Sequence, residues 1–267
     1  MKRRHFIIPD TQCKAGVPTD HFRWLAQAIE EYKPDRVIHL GDHWDFQSVS
    51  RHAAAGSKEK EGQRILKDIE AGNEALAMLG DIKADKYILR GNHEHRLNRF
   101  IDENPILEGV VGEHLFNDNQ LGWKPVLYKH GSPQAIELDG VQYAHYFANP
   151  NTGKPIGGTA SYKLAAIGSP FVQGHVQGYD IGTKQYATGR TIRGIVAGSC
   201  YLHDEPYKGM ANAHWRGAVV LNEVERGEFS EMPLTMDYLC RKYEGMSLAR
   251  FMQRKYKNAK SRFTVAN

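Results

Sequence analysis

Five short stretches of this 267-residue chain close an apolar run with groups that bind metals or move protons. Ile8-Pro9-Asp10-Thr11-Gln12, Leu40-Gly41-Asp42-His43-Trp44-Asp45 and Leu89-Arg90-Gly91-Asn92-His93-Glu94 carry carboxylates, amides and imidazoles. His145, at the end of Val141-Gln142-Tyr143-Ala144, and His175, in Gly174-His175-Val176-Gln177, add two more imidazoles. A solvated turn accounts for Gly91 and Asn92 but gives histidines and carboxylates no reason to gather at strand ends. Donors of this kind suit divalent cations, and it is their combination that carries weight, since each alone is more often an ordinary residue.

The elements that must position these groups can be read from periodicity. Residues 6–8, 36–40 and 86–89 read as short buried strands, and residues 20–32 and 62–79 as the helices between them, with Pro34 ending the first. That β-α-β-α-β order implies a parallel sheet, whose strand carboxyl ends form the ligand-binding rim, so the first three stretches are expected to converge there. From Trp123 onward the texture turns β-prone, over residues 125–128, 135–138, 141–145, 171–174, 181–187 and 191–197, with turns such as Asp139-Gly140 and Thr188-Gly189 between. A strand pair at 218–221 and 228–232 precedes a helix expected over 247–256. Residues 149–159 read as a long functional loop rather than a linker, because strands resume after it. A catalytic domain over residues 1–235 and a basic helical tail over 236–267 are expected.

Hydrophobic residues make up 41% and charged residues 25%, ordinary values that exclude fibrous and wholly disordered classes. No apolar stretch reaches the length of a membrane span, and the basic start lacks the apolar core of a signal peptide. A cytoplasmic setting with no membrane partner is therefore expected. Cys13, Cys200 and Cys240 are odd in number and lack CxxC spacing, which argues for free thiols. Residues 241–267 hold eight Lys or Arg against Glu244, leaving the rest of the chain with 27 basic and 30 acidic groups. A basic tail on a slightly acidic body could hold DNA or RNA, with Phe251, Tyr256 and Phe263 stacking on bases, although the same spacing suits docking onto the body.

The order of these motifs resembles the calcineurin-like metallophosphoesterase superfamily, whose pattern runs DxH, GDxxD, GNH[DE], a lone His and GHxH. The match runs from Asp10 through Gln177, and the local texture resembles bacteriophage-encoded members, for which the cytoplasm is the host cell's. The resemblance implies an α/β fold, a four-layer αββα sandwich with two mixed central sheets flanked by helices, and a dinuclear metal site at the strand C-terminal rim. It also implies two divalent ions and a phosphate-ester substrate. Carried over, it places Asp10, Gln12, Asp42 and Gln177 around the first metal and Asp42, Asn92, His145 and His175 around the second, with Asp42 bridging. His93 is implied as proton donor to the leaving oxygen, with Asp45 and Glu94 as carboxylates that orient the imidazoles. Gly91 is expected to let the backbone turn close to the ions.

Gln12 and Gln177 stand where the family has histidine, and both departures fall on one metal. A matched retuning of that site is expected: amide oxygens are harder and weaker ligands than imidazole, favouring manganese, or magnesium, over zinc, with iron or zinc open to the second site. The leading expectation is a phosphodiesterase of nucleic acid or nucleotides. The alternatives are a phosphomonoesterase, including a protein phosphatase, and a scaffold weakened by the two glutamines. GDHWD lacks the arginine after the second Asp that marks the protein phosphatases. Further candidates are His52, Cys13, the run His95, Arg96 and Arg99 that could lead substrate inward, and His203 and His214 as a substrate wall.

Overall fold

The computed structural model describes residues 1–52 and 60–256. The first sheet contains β1 (Arg3–Ile8), β2 (Arg36–His39), β3 (Asp85–Leu89) and β4 (Trp123–Val126), paired in parallel in that order. Beside β1 lie β12 (Gly217–Glu225) and β13 (Glu228–Thr235), both antiparallel to their neighbours, giving the order β13-β12-β1-β2-β3-β4. The second sheet has the order β10-β11-β9-β8-β7, from β7 (Ile136–Leu138), β8 (Val141–Ala144), β9 (Phe171–Gln173), β10 (Tyr179–Gln185) and β11 (Thr191–Ala197). A ribbon of β5 (Tyr128–Lys129) and β6 (Ser132–Pro133) splits the run expected as one strand over 125–128.

Strand alternation sorts the apolar residues between two cores. Ile7, Ile38, Leu89 and Val219 pack against Val141, Tyr143, Val172 and Ile195 of the second sheet, so the sheets face one another. Phe6, Ile8, Val37, Ile88 and Val220, one residue out of phase, point to the other face. There they meet α1 (His21–Tyr32), α2 (Ile65–Ala77), α5 (Met236–Glu244) and α6 (Leu248–Lys255). On the far side of the second sheet Ala160 and Leu164 of α4 (Ala160–Ile167) pack on Phe171, Ile192 and Val196. The layers therefore run helix, sheet, sheet, helix.

Residues 236–256 pack into the first core. Leu239, Leu248, Phe251 and Met252 are buried there, Phe251 meets Trp24 edge-on at 5.1 Å between ring centroids, and Lys255 and Tyr256 both reach Asp20. Phe251 and Tyr256 are thus occupied by docking onto the body, the second of the two uses open to them. Phe263 and the basic groups beyond Tyr256 lie outside the described residues. Among the described residues, no helix is long and apolar enough to cross a membrane.

Candidate metal centre and active site

The rim assembles at the ends of five strands. The backbone after β1 is tied to the loop after β2, since Gln12 N–H donates to Asp42 O at 2.8 Å and Cys13 N–H to His43 O at 2.7 Å. The stretch after β3 is not a loop, because α3 (Asn92–Glu103) starts at Asn92 itself. Glu94 makes that start possible by accepting from Gly91 N–H at 2.7 Å at the helix N-terminus. The same carboxylate accepts from the N–H groups of Asp42, His43 and Trp44 at 3.1, 2.6 and 3.0 Å. Glu94 therefore clamps the Asp42 loop to α3 through backbone amides, where an imidazole contact was expected. Burial and the nearby Asp42 charge push its carboxyl upward.

Close approach explains the glycines. A Cβ on Gly91 would fall 2.2 Å from Asp42 Oδ1, and one on Gly174 would fall 2.3 Å from Asp10 Oδ1. Gly91 has an ordinary negative φ, so its need is for space rather than for a turn. Backbone strain sits instead on side-chain-bearing residues: Gln12, Asp42 and His175 adopt φ of 42°, 49° and 65°. Conformations of this kind cost about 1–3 kcal/mol each and persist where surrounding bonds over-determine them.

Asp42, His145 and His175 offer ligand atoms within 4.8 Å of one another. His145 Nδ1–H donates to Leu40 O at 2.9 Å, which turns Nε2 toward Asn92 Oδ1 at 3.0 Å and Asp42 Oδ1 at 3.3 Å. Asn92 Oδ1 also lies 2.8 Å from His175 Nδ1. Four donors thus face one point. Asp10 accepts the His175 backbone N–H at 3.0 and 3.1 Å and lies 3.9 Å from His145 Nδ1. Gln12 is buried and its Oε1 has no hydrogen-bond partner, a costly state for an amide unless a cation meets it. Gln177 differs: its Oε1 accepts from Tyr201 OH at 2.8 Å, which leaves one lone pair for any other use.

Electrostatics support a cation at this point. Burial raises Asp10 to about 7, with the His145 charge opposing and the Asp42 charge adding to the rise. Burial works against ionised Asp42, yet His145 and His93 hold it well below the carboxylate range. His145 rises to about 9 because Asp42 and Asp10 outweigh burial, while burial and His145 lower His175 to about 4. A carboxyl that burial alone would keep protonated and a carboxylate held ionised by its imidazole neighbours are both groups whose negative charge a divalent ion can satisfy. The donor set, with one orphaned amide oxygen, fits such an ion.

Beside this cluster, His93 lies with Nε2 3.5 Å from Asp42 Oδ2 and Nδ1 2.6 Å from Asp45 Oδ1, an approach close in distance but not aligned as a hydrogen bond. Asp45 is held well below the usual carboxylate range: burial opposes, but Lys14 at 3.0 Å and the adjacent His93 imidazole outweigh it. Arg96 donates to Asp45 O at 2.8 Å and to His93 Nε2 at 2.7 Å. Sequence reading missed the role of Lys14, which also bonds Glu205 at 2.7 Å, and nothing in its surroundings in the chain signals it. Arg90 was missed too; it packs its guanidinium over Trp44 and Phe116 and pairs with Glu113 at 2.8 Å, bracing the Asp42 loop from behind.

The remaining candidates separate. Cys13 is buried, its thiol pushed up by burial, with Sγ 3.9 Å from Thr11 O and from His43 Nδ1. His203 is buried against Tyr201 and bonds Glu205 at 2.8 Å, so it backs the rim rather than walling it. His214 bonds Ala211 O at 2.8 Å. His52 is exposed, in the turn after Ser50.

Comparison with known proteins gives, among others, four matches. The profile described as calcineurin-like phosphoesterase matches residues 6–175. The Gene 54 protein of Mycobacterium phage D29 is 36% identical over 101 residues, covering 36% of this chain and 38% of that protein. The Gene 54 protein of Mycobacterium phage L5 is 38% identical over 73 residues, covering 26% and 27%. The chain thus aligns with well under half the length of these relatives. A crystal structure of a conserved uncharacterized protein, a predicted phosphoesterase from Streptococcus pneumoniae TIGR4, aligns over 87% of this chain and 98% of that one at 12% identity, with a TM-score of 0.30 too low to carry an argument.

Proposed function

The chain belongs to the calcineurin-like phosphoesterase family, and from that premise we propose that it is a metal-dependent phosphodiesterase acting on nucleic acid or nucleotides. The observation that carries the reading is the meeting of Asp42, Asn92, His145 and His175 at one point, with the His93–Asp45 pair against it.

Asp42, Asn92, His145 and His175 would hold one divalent ion, and Asp10, Gln12, Asp42 and Gln177 a second, with manganese the expected metal of the oxygen-rich site. When bound, the ions supply charge neutralisation of the phosphoryl group and an acidified water nucleophile. His93 donates a proton to the departing alkoxide, and Asp45 holds the imidazole in the orientation that permits it. Arg96 competes for His93 Nε2, so the ring has to part from Arg96 when it serves the leaving group. The basic segment after Tyr256 gives a polyanion a means of attachment, and the likeness to mycobacteriophage proteins favours a host-cell cytoplasmic setting.

A manganese-supplemented assay comparing bis(p-nitrophenyl) phosphate, p-nitrophenyl phosphate and labelled DNA tests the reading. Preference for the diesters is expected. Preference for the monoester would favour a phosphatase, and inactivity on all three with one metal bound would favour a scaffold.

A further inference from the structure

His95, Arg96 and Arg99 follow the metal-ligand stretch on α3, and the structure gives them different fates. Arg96 is buried on Asp45 and His93, and Arg51, next door, is paired with Glu103. Arg99 is half-buried and has no carboxylate partner among the described residues. Partial burial and the charges of Arg51 and Arg96 hold its guanidinium below the ordinary range. Glu103 and Asp45 offset the charges of Arg51 and Arg96, which leaves the charge of Arg99 for an anion from outside.

The ring of His95 lies flat on Tyr128, with centroids 4.3 Å apart and planes 12° apart, and both residues are partly exposed. Tyr128 OH meets Tyr146 OH at 2.7 Å, and the Tyr146 ring lies 4.8 Å from that of His175. An aromatic wall therefore runs without a break from the metal centre to the Arg99 side of α3. Asn92, His95 and Arg99 sit at helical positions i, i+3 and i+7, on one face, and the rise from the first to the last is about 10 Å. A ligand touching both ends is longer than a single phosphate ester.

We propose that His95, Tyr128 and Arg99 form a subsite for the nucleotide adjoining the scissile phosphate of a single-stranded nucleic acid, the base stacking on the His95–Tyr128 pair and its phosphate meeting Arg99. Stacking on a flat aromatic pair is tolerant of sequence, and a lone guanidinium suits a phosphate oxygen pair. This rests on the phosphodiesterase reading above and extends it from reaction to substrate shape.

The test measures kcat/KM on an oligothymidylate and on bis(p-nitrophenyl) phosphate, which lacks the adjoining nucleotide, for wild type, Arg99→Ala, Arg99→Lys and Tyr128→Ala. The ratio of oligonucleotide to small diester is expected to fall about tenfold in Arg99→Ala and Tyr128→Ala and to recover in part in Arg99→Lys. In a His93→Ala background, binding of a fluorescent oligothymidylate should lose about 0.7 from its log–log salt slope on adding Arg99→Ala. If wild type cleaves the oligonucleotide but the ratio and slope stay at wild-type values in the variants, the subsite is overturned and the phosphodiesterase reading stands. If wild type cleaves the small diester and neither binds nor cleaves the oligonucleotide, the nucleic-acid reading falls and the subsite falls with it.

Discussion

The imidazole of His93 and the carboxylate of Asp45 approach to 2.6 Å, although they arise from different strand ends and are 48 positions apart in the chain. Lys14 and Arg96 hold Asp45 in place from two further directions. The pair stands beside the ligand cluster rather than within it.

Replacing His93 should therefore separate chemistry from metal binding. His93→Ala is expected to slow turnover of a poorly activated diester by about 10²–10⁴ while leaving metal content by elemental analysis unchanged. Metal loss would make His93 a ligand.

Gly174→Ala places a methyl 2.3 Å from Asp10 Oδ1, next to a backbone N–H, that of His175, that bonds the same carboxylate. A fall in metal affinity of about 10–100-fold, measured by titration calorimetry, is expected with the fold kept by circular dichroism. Wild-type affinity would show that Asp10 has room to move without consequence.

The two halves of the metal centre should differ in grip. In the proposed two-ion centre His145 and His175 would bring imidazoles to one ion, while Gln12 and Gln177 would offer amide oxygens to the other, with the Gln177 oxygen already bonded to Tyr201. Dialysis against chelator is expected to strip one ion well before the other, and Gln12→His to narrow the gap. Two equally tight zinc ions in purified protein would contradict this.

His5 joins the two sheets at the amino end of β1, with Tyr143 OH at 2.6 Å and Asp139 at 2.9 Å. Burial lowers it from 6.5 to about 4, with Asp139 opposing. Between these values the unfolded chain takes up the proton and the folded one does not, so stability is present above pH 6.5 and lost as pH falls toward 4. That loss is on the order of 3 kcal/mol. Thermal melts of wild type and His5→Gln across pH 7 to 4 should show a shallower decline in the variant.

Phe251→Ala tests whether the last described helix belongs to the body. Removing a buried ring that packs on Trp24 should cost about 3–5 kcal/mol, visible as a lowered melting temperature. A melting temperature within a degree of wild type would mean that α6 is an appendage.

Much of the convergence at the candidate site was legible in advance because its polar residues lie next to strand ends, and short apolar runs mark strand ends well. Asp10, Asp42, Asn92, His145 and His175 are of that kind: local pattern plus the rim rule of parallel sheets brings them together. The tail is the contrary case. Its charge is conspicuous in the chain, whereas the burial of Phe251 depends on Trp24, more than two hundred residues earlier.

The sequence by itself determined which chemistry is available, because a metal cluster is specified by donor types and by the strands that carry them. Tertiary structure alone decided how those donors are held. Glu94 clamps four backbone amides, Lys14 steadies Asp45, Arg99 is left uncompensated beside a stacked His95–Tyr128 pair, and Gln177 is tied to Tyr201 while the Gln12 oxygen stays free. The bonds of Glu94 to the Asp42 loop, of Lys14 to Asp45 and of Gln177 to Tyr201, like the His95–Tyr128 stack, join residues well apart in the chain, and contacts of that kind leave no periodic trace in a sequence.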